Sequence, residues 1–325
     1  MKKPLVATIL IALAAPALAA PPTAADLLRR VPEAAVAVVA IDSASLRTHP
    51  AVHDWLVRRH DLTGTDPRCF LDDAGLDPLR DVDVMVLAAV PDGDRPAGVA
   101  LFAGRYDPAS LGVALVKRGA QAFTLAGAPA YRLASEHEGG RGVVVALPST
   151  SLVVVGDEAT AALALAPPHA FAPLAAGEIA AGRLDIRAPF WMVAAVPALV
   201  RQRAGAAAGR VHGEGAETVR GVILASGTVR RIVAQATLDG ALTFSAAAVA
   251  DTPENAELLR DTVKGALAAA RLHFEDSQPE LIDVLRAVDL HLAGAVVTIK
   301  GAIPVALLEK LAAERHATRS QRQHP

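Results

Sequence analysis

The stretch from Asp81 to Gly119, DVDVMVLAAVPDGDRPAGVALFAGRYDPASLGVALVKRG, restricts the folds open to this chain more than any other. It reads as strand, turn, strand and then a helix. Val82 to Val90 is apolar at both alternating sets of positions, as in a strand covered on both faces. Pro91 to Pro96 forms the turn, and Ala97 to Gly104 returns. Asp107 is a good N-cap, and Pro108 suits the first helical position, where its missing N–H is not needed. Lys117 and Arg118 favour the C-terminal end of the helix dipole, and Gly119 can take the left-handed closing conformation.

The same order returns three more times. Val143 to Leu147 and Leu152 to Val155 precede a helix from Asp157. Val229 to Thr237 and Ala241 to Val249, joined at Asp239-Gly240, precede a long helix opened by Thr252-Pro253. Val288 to Leu292 and Ala295 to Lys300 precede a helix from Pro304. In the third copy Ile232, Ala234 and Ala236 are expected to face the core, with Arg231, Gln235 and Thr237 on a wet face. A sheet with one wet face is antiparallel by preference.

Hairpin–helix units in series predict an α+β protein with antiparallel sheets, helices packed on one face, and an internal duplication. Ala35 to Ile41 and Phe190 to Val196 are apolar strands that open two similar halves. Residues 166–188 lose periodicity and gain Pro and Gly, which puts the boundary there. The expected organisation is a signal peptide at 1–20, a first half at 21–170, a second half at 171–314 and a disordered tail at 315–325.

Lys2 and Lys3, the apolar run from Leu5 to Ala15 and the small residues Ala17-Leu18-Ala19 make a secretory signal. The run is too short to cross a bilayer, so no transmembrane segment is expected after cleavage. The expected compartment is periplasmic or extracellular. Cys69 is the only cysteine, so no intramolecular disulfide can form, and it reads as a small buried side chain. The full chain has 32 basic against 34 acidic residues. Loss of Lys2 and Lys3 makes it more acidic, which offers no general attraction for nucleic acid.

No chemical constellation emerges. His49 and His53 have the spacing of two helical metal ligands, but Pro50 separates His49 from the helix, and zinc needs three or four ligands. Asp81, Asp83, Asp92 and Asp94 read as strand-entry and turn residues, because the later calcium ligands are missing. Glu136-His137-Glu138 reads as a solvated hairpin loop. Gly213-Glu214-Gly215 lacks the third glycine of a dinucleotide site, and no glycine loop ends in Lys-Ser/Thr. Ser226 reads as turn-forming, since no nucleophile elbow surrounds it. Trp55 and Trp191 read as core anchors, too few for stacking platforms. No catalytic, cofactor-binding or metal residue is therefore assigned.

The first half resembles a group of uncharacterised exported bacterial proteins. The matching stretches are Val31-Pro32-Glu33 with AVAVVAID, AGLDPLRDVDVMVLA, ALFAGRYDPASL and SLVVVGDEATAALAL. In that group a strand ends in Gly-Arg-Phe/Tyr-Asp, which corresponds to Gly104, Arg105, Tyr106 and Asp107. The likeness stops near residue 170 and implies no activity, substrate or cofactor. Arg105 and Tyr106 are left without an assigned role.

Three functions stay open: an exported non-enzymatic protein binding a protein partner or an apolar ligand, a carrier of lipid or another apolar molecule in a curved sheet, and a hydrolase with dispersed catalytic residues. The last needs a His beside a Ser or Asp, with His49, His53, His137 and His212 as the candidates.

Overall fold

The structure is a computed structural model that describes residues 22–49, 77–93, 97–134, 142–168, 170–198, 201–202, 225, 227–275 and 278–310. Residues 1–20, the tail at 315–325, Cys69, Trp55, His53, His137, His212, Asp94 and Ser226 lie outside them.

Twelve strands form one continuous sheet. In chain order they are β1 (Ala37–Asp42), β2 (Val82–Val90), β3 (Ala97–Gly104), β4 (Gln121–Leu125), β5 (Ala128–Leu133), β6 (Val143–Ser149), β7 (Leu152–Gly156), β8 (Phe190–Ala195), β9 (Val229–Asp239), β10 (Ala241–Ala250), β11 (Asp289–Ala293) and β12 (Val296–Pro304). Among the described residues the helices include α1 (Ala24–Leu28), α2 (Ser43–Arg47), α3 (Pro78–Asp81), α4 (Pro108–Lys117), α5 (Glu158–Leu165), α6 (Pro173–Ala180), α7 (Pro253–Phe274) and α8 (Pro279–Arg286). The strand order is β11-β12-β10-β9-β8-β1-β2-β3-β7-β6-β5-β4, with every pairing antiparallel. The mixed α+β class with a large antiparallel sheet is therefore as expected.

Residues directly opposite in an antiparallel ladder share a face. The front face carries Val38, Ala40, Val86, Leu101, Val154, Trp191 and Val193, all buried. There α1, α5 and α6 supply Leu27, Leu28, Ala161, Ala164 and Ala175 to a single core that runs from β4 to β10. On the back face α4 packs Leu111 and Ala114 against Phe102, Val153 and Tyr131. Also on the back face, α7 packs Ala256 and Leu259 against Ala248, Val297 and Leu290.

The helices thus lie on both faces, and the expectation of helices packed on one face is corrected. The physical reason is in the strands. Leu101 and Phe102, or Val153 and Val154, are apolar neighbours that point to opposite sides, so each side needs its own cover.

Local signals act as read. Asp107 accepts a hydrogen bond from the Ala109 N–H at 3.0 Å, with Pro108 in the first turn of α4. Asp157 caps α5 and Thr252 caps α7. The β4–β5 turn uses Ala126 at φ 47° and Gly127 at φ 82°, two left-handed residues that match hairpin twist.

Candidate functional site

The Gly-Arg-Tyr-Asp junction is a packing device. A Cβ on Gly104 would stand 1.9 Å from the Asp81 carbonyl oxygen and 2.9 Å from Tyr106 Oη. Only a glycine lets that carbonyl and the ring share the space. The Arg105 N–H donates to the Asp81 carbonyl at 2.8 Å and the Tyr106 N–H to Thr150 at 2.8 Å. Tyr106 is buried in the core beneath α4, and its hydroxyl has no hydrogen-bond partner. Burial pushes that hydroxyl's pKa up, and the charges of Asp83 and Asp81 push it further. Arg105 is exposed, and its charge helps to keep Asp81 ionised.

Asp81 and Asp83 are both buried. Asp81 takes Arg80 at 2.8 Å and the Asp77 N–H at 2.8 Å, and the Arg80 bond is the main reason its pKa is lowered. Asp83 is paired with Arg47, which also donates to the Arg80 carbonyl at 2.7 Å. Each carboxylate is thus tied into the end of β2.

His49 Nδ1 is buried and makes no hydrogen bond. Among the described residues no group of three His, Cys, Asp or Glu could hold a metal ion, and no helix is long and apolar enough to cross a membrane. A polar groove lined by Asp92, Arg132, Asp157 and Glu158 is already committed internally. Arg132 binds Glu158 at 2.5 Å and stacks 4.6 Å above the Phe123 ring, while Asp157 caps α5.

Two features escaped the sequence reading. The first is Glu178 on α6, inside residues 166–188, which lack periodicity in the sequence. It is completely buried and bonded to Arg183 at 2.5 Å and to Arg231 of β9. Burial alone would raise its pKa, but the two guanidiniums outweigh that effect and leave it lowered. Gln235 accepts from the Asp185 N–H at 2.8 Å, fixing the same segment to β9. The polar side of β9, expected to be wet, is thus partly covered, and Val233 between these residues is buried. Further along, Thr237, Thr243 and Lys300 keep an exposed polar front face.

The second is the centre of the back face. Between α4 and α7, strands β2, β1, β8 and β9 align their side chains in three cross-strand rows. One row is Met85, Ile41, Phe190 and Ala236; the next is Leu87, Val39, Met192 and Ala234; the third is Ala89, Ala37, Ala194 and Ile232. All are apolar and none is buried, with Leu87 38% and Ile232 37% exposed. Their front-face neighbours Val38, Val86, Trp191 and Val193 are at 0%. Alternation could not reveal this floor, because in β1, β2 and β8 both sets are apolar.

No family model matches the sequence, and no curated protein does. Among solved structures the chain is similar to crystal form I of TP0453 at 12% identity, with 90% of this chain and 98% of that one covered and a TM-score of 0.49. For crystal form IV of TP0453 the identity is 12%, the coverage 88% and 94%, and the TM-score 0.46.

Proposed function

We propose that this chain is an exported, non-enzymatic protein that binds an apolar ligand on the back face of its sheet. The carrying observation is the floor of three apolar rows between α4 and α7 that stays partly exposed while Val38, Val86, Trp191 and Val193 on the opposite side are fully buried. Monomeric proteins rarely leave a contiguous apolar patch of several hundred Å² without a binding role. Of the large apolar side chains found exposed among the described residues, Leu87 and Ile232 belong to this floor.

Export rests on the charged, apolar and small-residue segments of 1–20. Internal duplication is part of the same reading. Counted outward from the β1–β8 pair, the order β8-β9-β10-β12-β11 parallels β1-β2-β3-β7-β6, and α4 and α7 follow the third strand of each set.

The test is titration of protein from its own host with N-phenyl-1-naphthylamine, whose fluorescence rises in apolar surroundings. Native mass spectrometry of the same preparation looks for a co-purified ligand. Saturable binding that is abolished by Met192→Asp and Leu87→Asp, in folded variants, is the expected result. Absence of any bound probe or ligand, or binding indifferent to both changes, would overturn the proposal.

A further inference from the structure

We infer that the ligand is a long-chain monocarboxylate, its hydrocarbon lying across the strands and its carboxylate at the β9 margin. The inference rests on the apolar-ligand reading above.

Size and relief exclude the alternatives to a slender ligand. Four strands at about 4.8 Å spacing give a floor about 19 Å across, and three rows spaced by two residues add about 13–20 Å in the other direction. The resulting few hundred Å² is well below the roughly 800 Å² that each partner buries in a stable protein complex. Helices on either side, each about 10 Å thick, also keep a flat surface from reaching the floor.

Within the floor, one row is lower than the others. Ala89, Ala37 and Ala194 form a lane of methyl side chains, next to a taller row containing Leu87, Val39 and Met192. The lane ends at Ile232 on the β9 side. No polar side chain interrupts it, so whatever lies in it has no polar group along that length.

The polar end is indicated by charge. Where β8 ends and β9 begins, beside Ala194 and Ile232, Arg201 and Arg230 stand against one carboxylate, Asp251. Both guanidiniums help hold the Asp251 carboxyl down, after its bond to Asn255. Arg201 meets Asp251 only at 3.8 Å, and its Nε is buried with no hydrogen bond. Arg230 is exposed and is skipped by the β9–β10 ladder, where Arg231 pairs with Val249 and Val229 with Ala250. A bulge of this kind redirects a side chain. Among the described residues, two guanidiniums face one carboxylate at this corner beside the apolar lane, a complement to a carboxylate head.

Octanoate, decanoate, dodecanoate, palmitate and dodecanol are titrated against the naphthylamine complex of the full protein. Affinity is expected to rise roughly two- to four-fold per methylene up to dodecanoate, then level off as further methylenes leave the lane. Arg230→Gln, at an exposed position, is expected to weaken dodecanoate about ten-fold, the loss of one charge-assisted bond, and to leave dodecanol unchanged. Ala37→Phe is expected to weaken both. Equal loss of acid and alcohol in Arg230→Gln overturns the carboxylate assignment. Binding of naphthylamine with no displacement by any chain overturns this inference and leaves the apolar-ligand reading standing. Failure of naphthylamine itself to bind overturns both. Leu87→Cys or Ile232→Cys, each in a Cys69→Ser background, adds a check. Protection from maleimide without any ligand would mean that protein already occupies the floor, and would also overturn the inference.

Discussion

At the scale of single residues, the buried charge of Glu178 makes the sharpest prediction. Its carboxyl has a lowered pKa in the folded protein, whereas in the unfolded chain it returns to near 4.5. The unfolded state therefore takes up the proton first. The stabilisation is complete above about pH 4.5 and is lost as the pH falls through the folded value. The two guanidiniums left behind are partly exposed, so Glu178→Gln should cost about 1.5–3 kcal/mol near neutral pH, the loss of hydrogen bonds to a charged group. It should also flatten the acid limb of a plot of urea midpoint against pH, and an unchanged acid limb would count against this role. Gly104→Ala tests a different kind of constraint. With 1.9 Å to a backbone oxygen, the added methyl forces apart β2 and β3, at about 1–3 kcal/mol, measurable as a fall in Tm. Asp107, Pro108 and Gly119 were legible from sequence because caps are local. The roles of Glu178 and Tyr106 were not, because their partners or neighbours, Arg231 and Thr150, lie far away in the chain.

At the scale of elements, α4 is seated by a glycine in its interior. A Cβ on Gly112 would come within 2.2 Å of Tyr131 Oη, so the tip of the Tyr131 side chain abuts the bare backbone of the helix. Gly to Ala in a helix is ordinarily worth up to about 1 kcal/mol in favour of Ala. Here Gly112→Ala should destabilise instead, while the same change in a Tyr131→Leu background should be neutral or stabilising. A double-mutant cycle by urea denaturation measures the reversal, and equal effects in both backgrounds would remove the contact as the cause. β10 and β12 have a similar arrangement, with the Phe244 ring over Gly301, where a Cβ would lie 2.5 Å from Cζ. Hairpins, caps and strand positions were readable because each depends on neighbours in sequence. Which face each helix covers was not, because strands apolar on both sides fit either choice. Nor was α6 readable: its run of Ala and Gly has no distinct apolar stripe.

At the scale of the whole molecule, the two halves share one sheet. Val38 pairs with Val193 at the midline, and the front-face core takes residues from β4 through to β10. Unfolding in urea should therefore be a single transition, with tryptophan fluorescence and far-UV circular dichroism superimposing. A fragment of residues 21–170 should not fold by itself, since β1 would lose its β8 partner and expose Val38 and Ala40. Two separated transitions, or a cooperative melt of the fragment, would show that the halves are independent. The mid-sheet position of β1 also governs the order in which the molecule can assemble. Its β2 neighbour arrives early in synthesis, but its β8 neighbour is encoded in the other half of the chain. Until then an apolar strand stands as an open edge, the state most prone to pairing with the wrong chain. Pairings between such distant segments form slowly. Concentration of nascent chains, more than native stability, then sets the yield of correctly assembled protein.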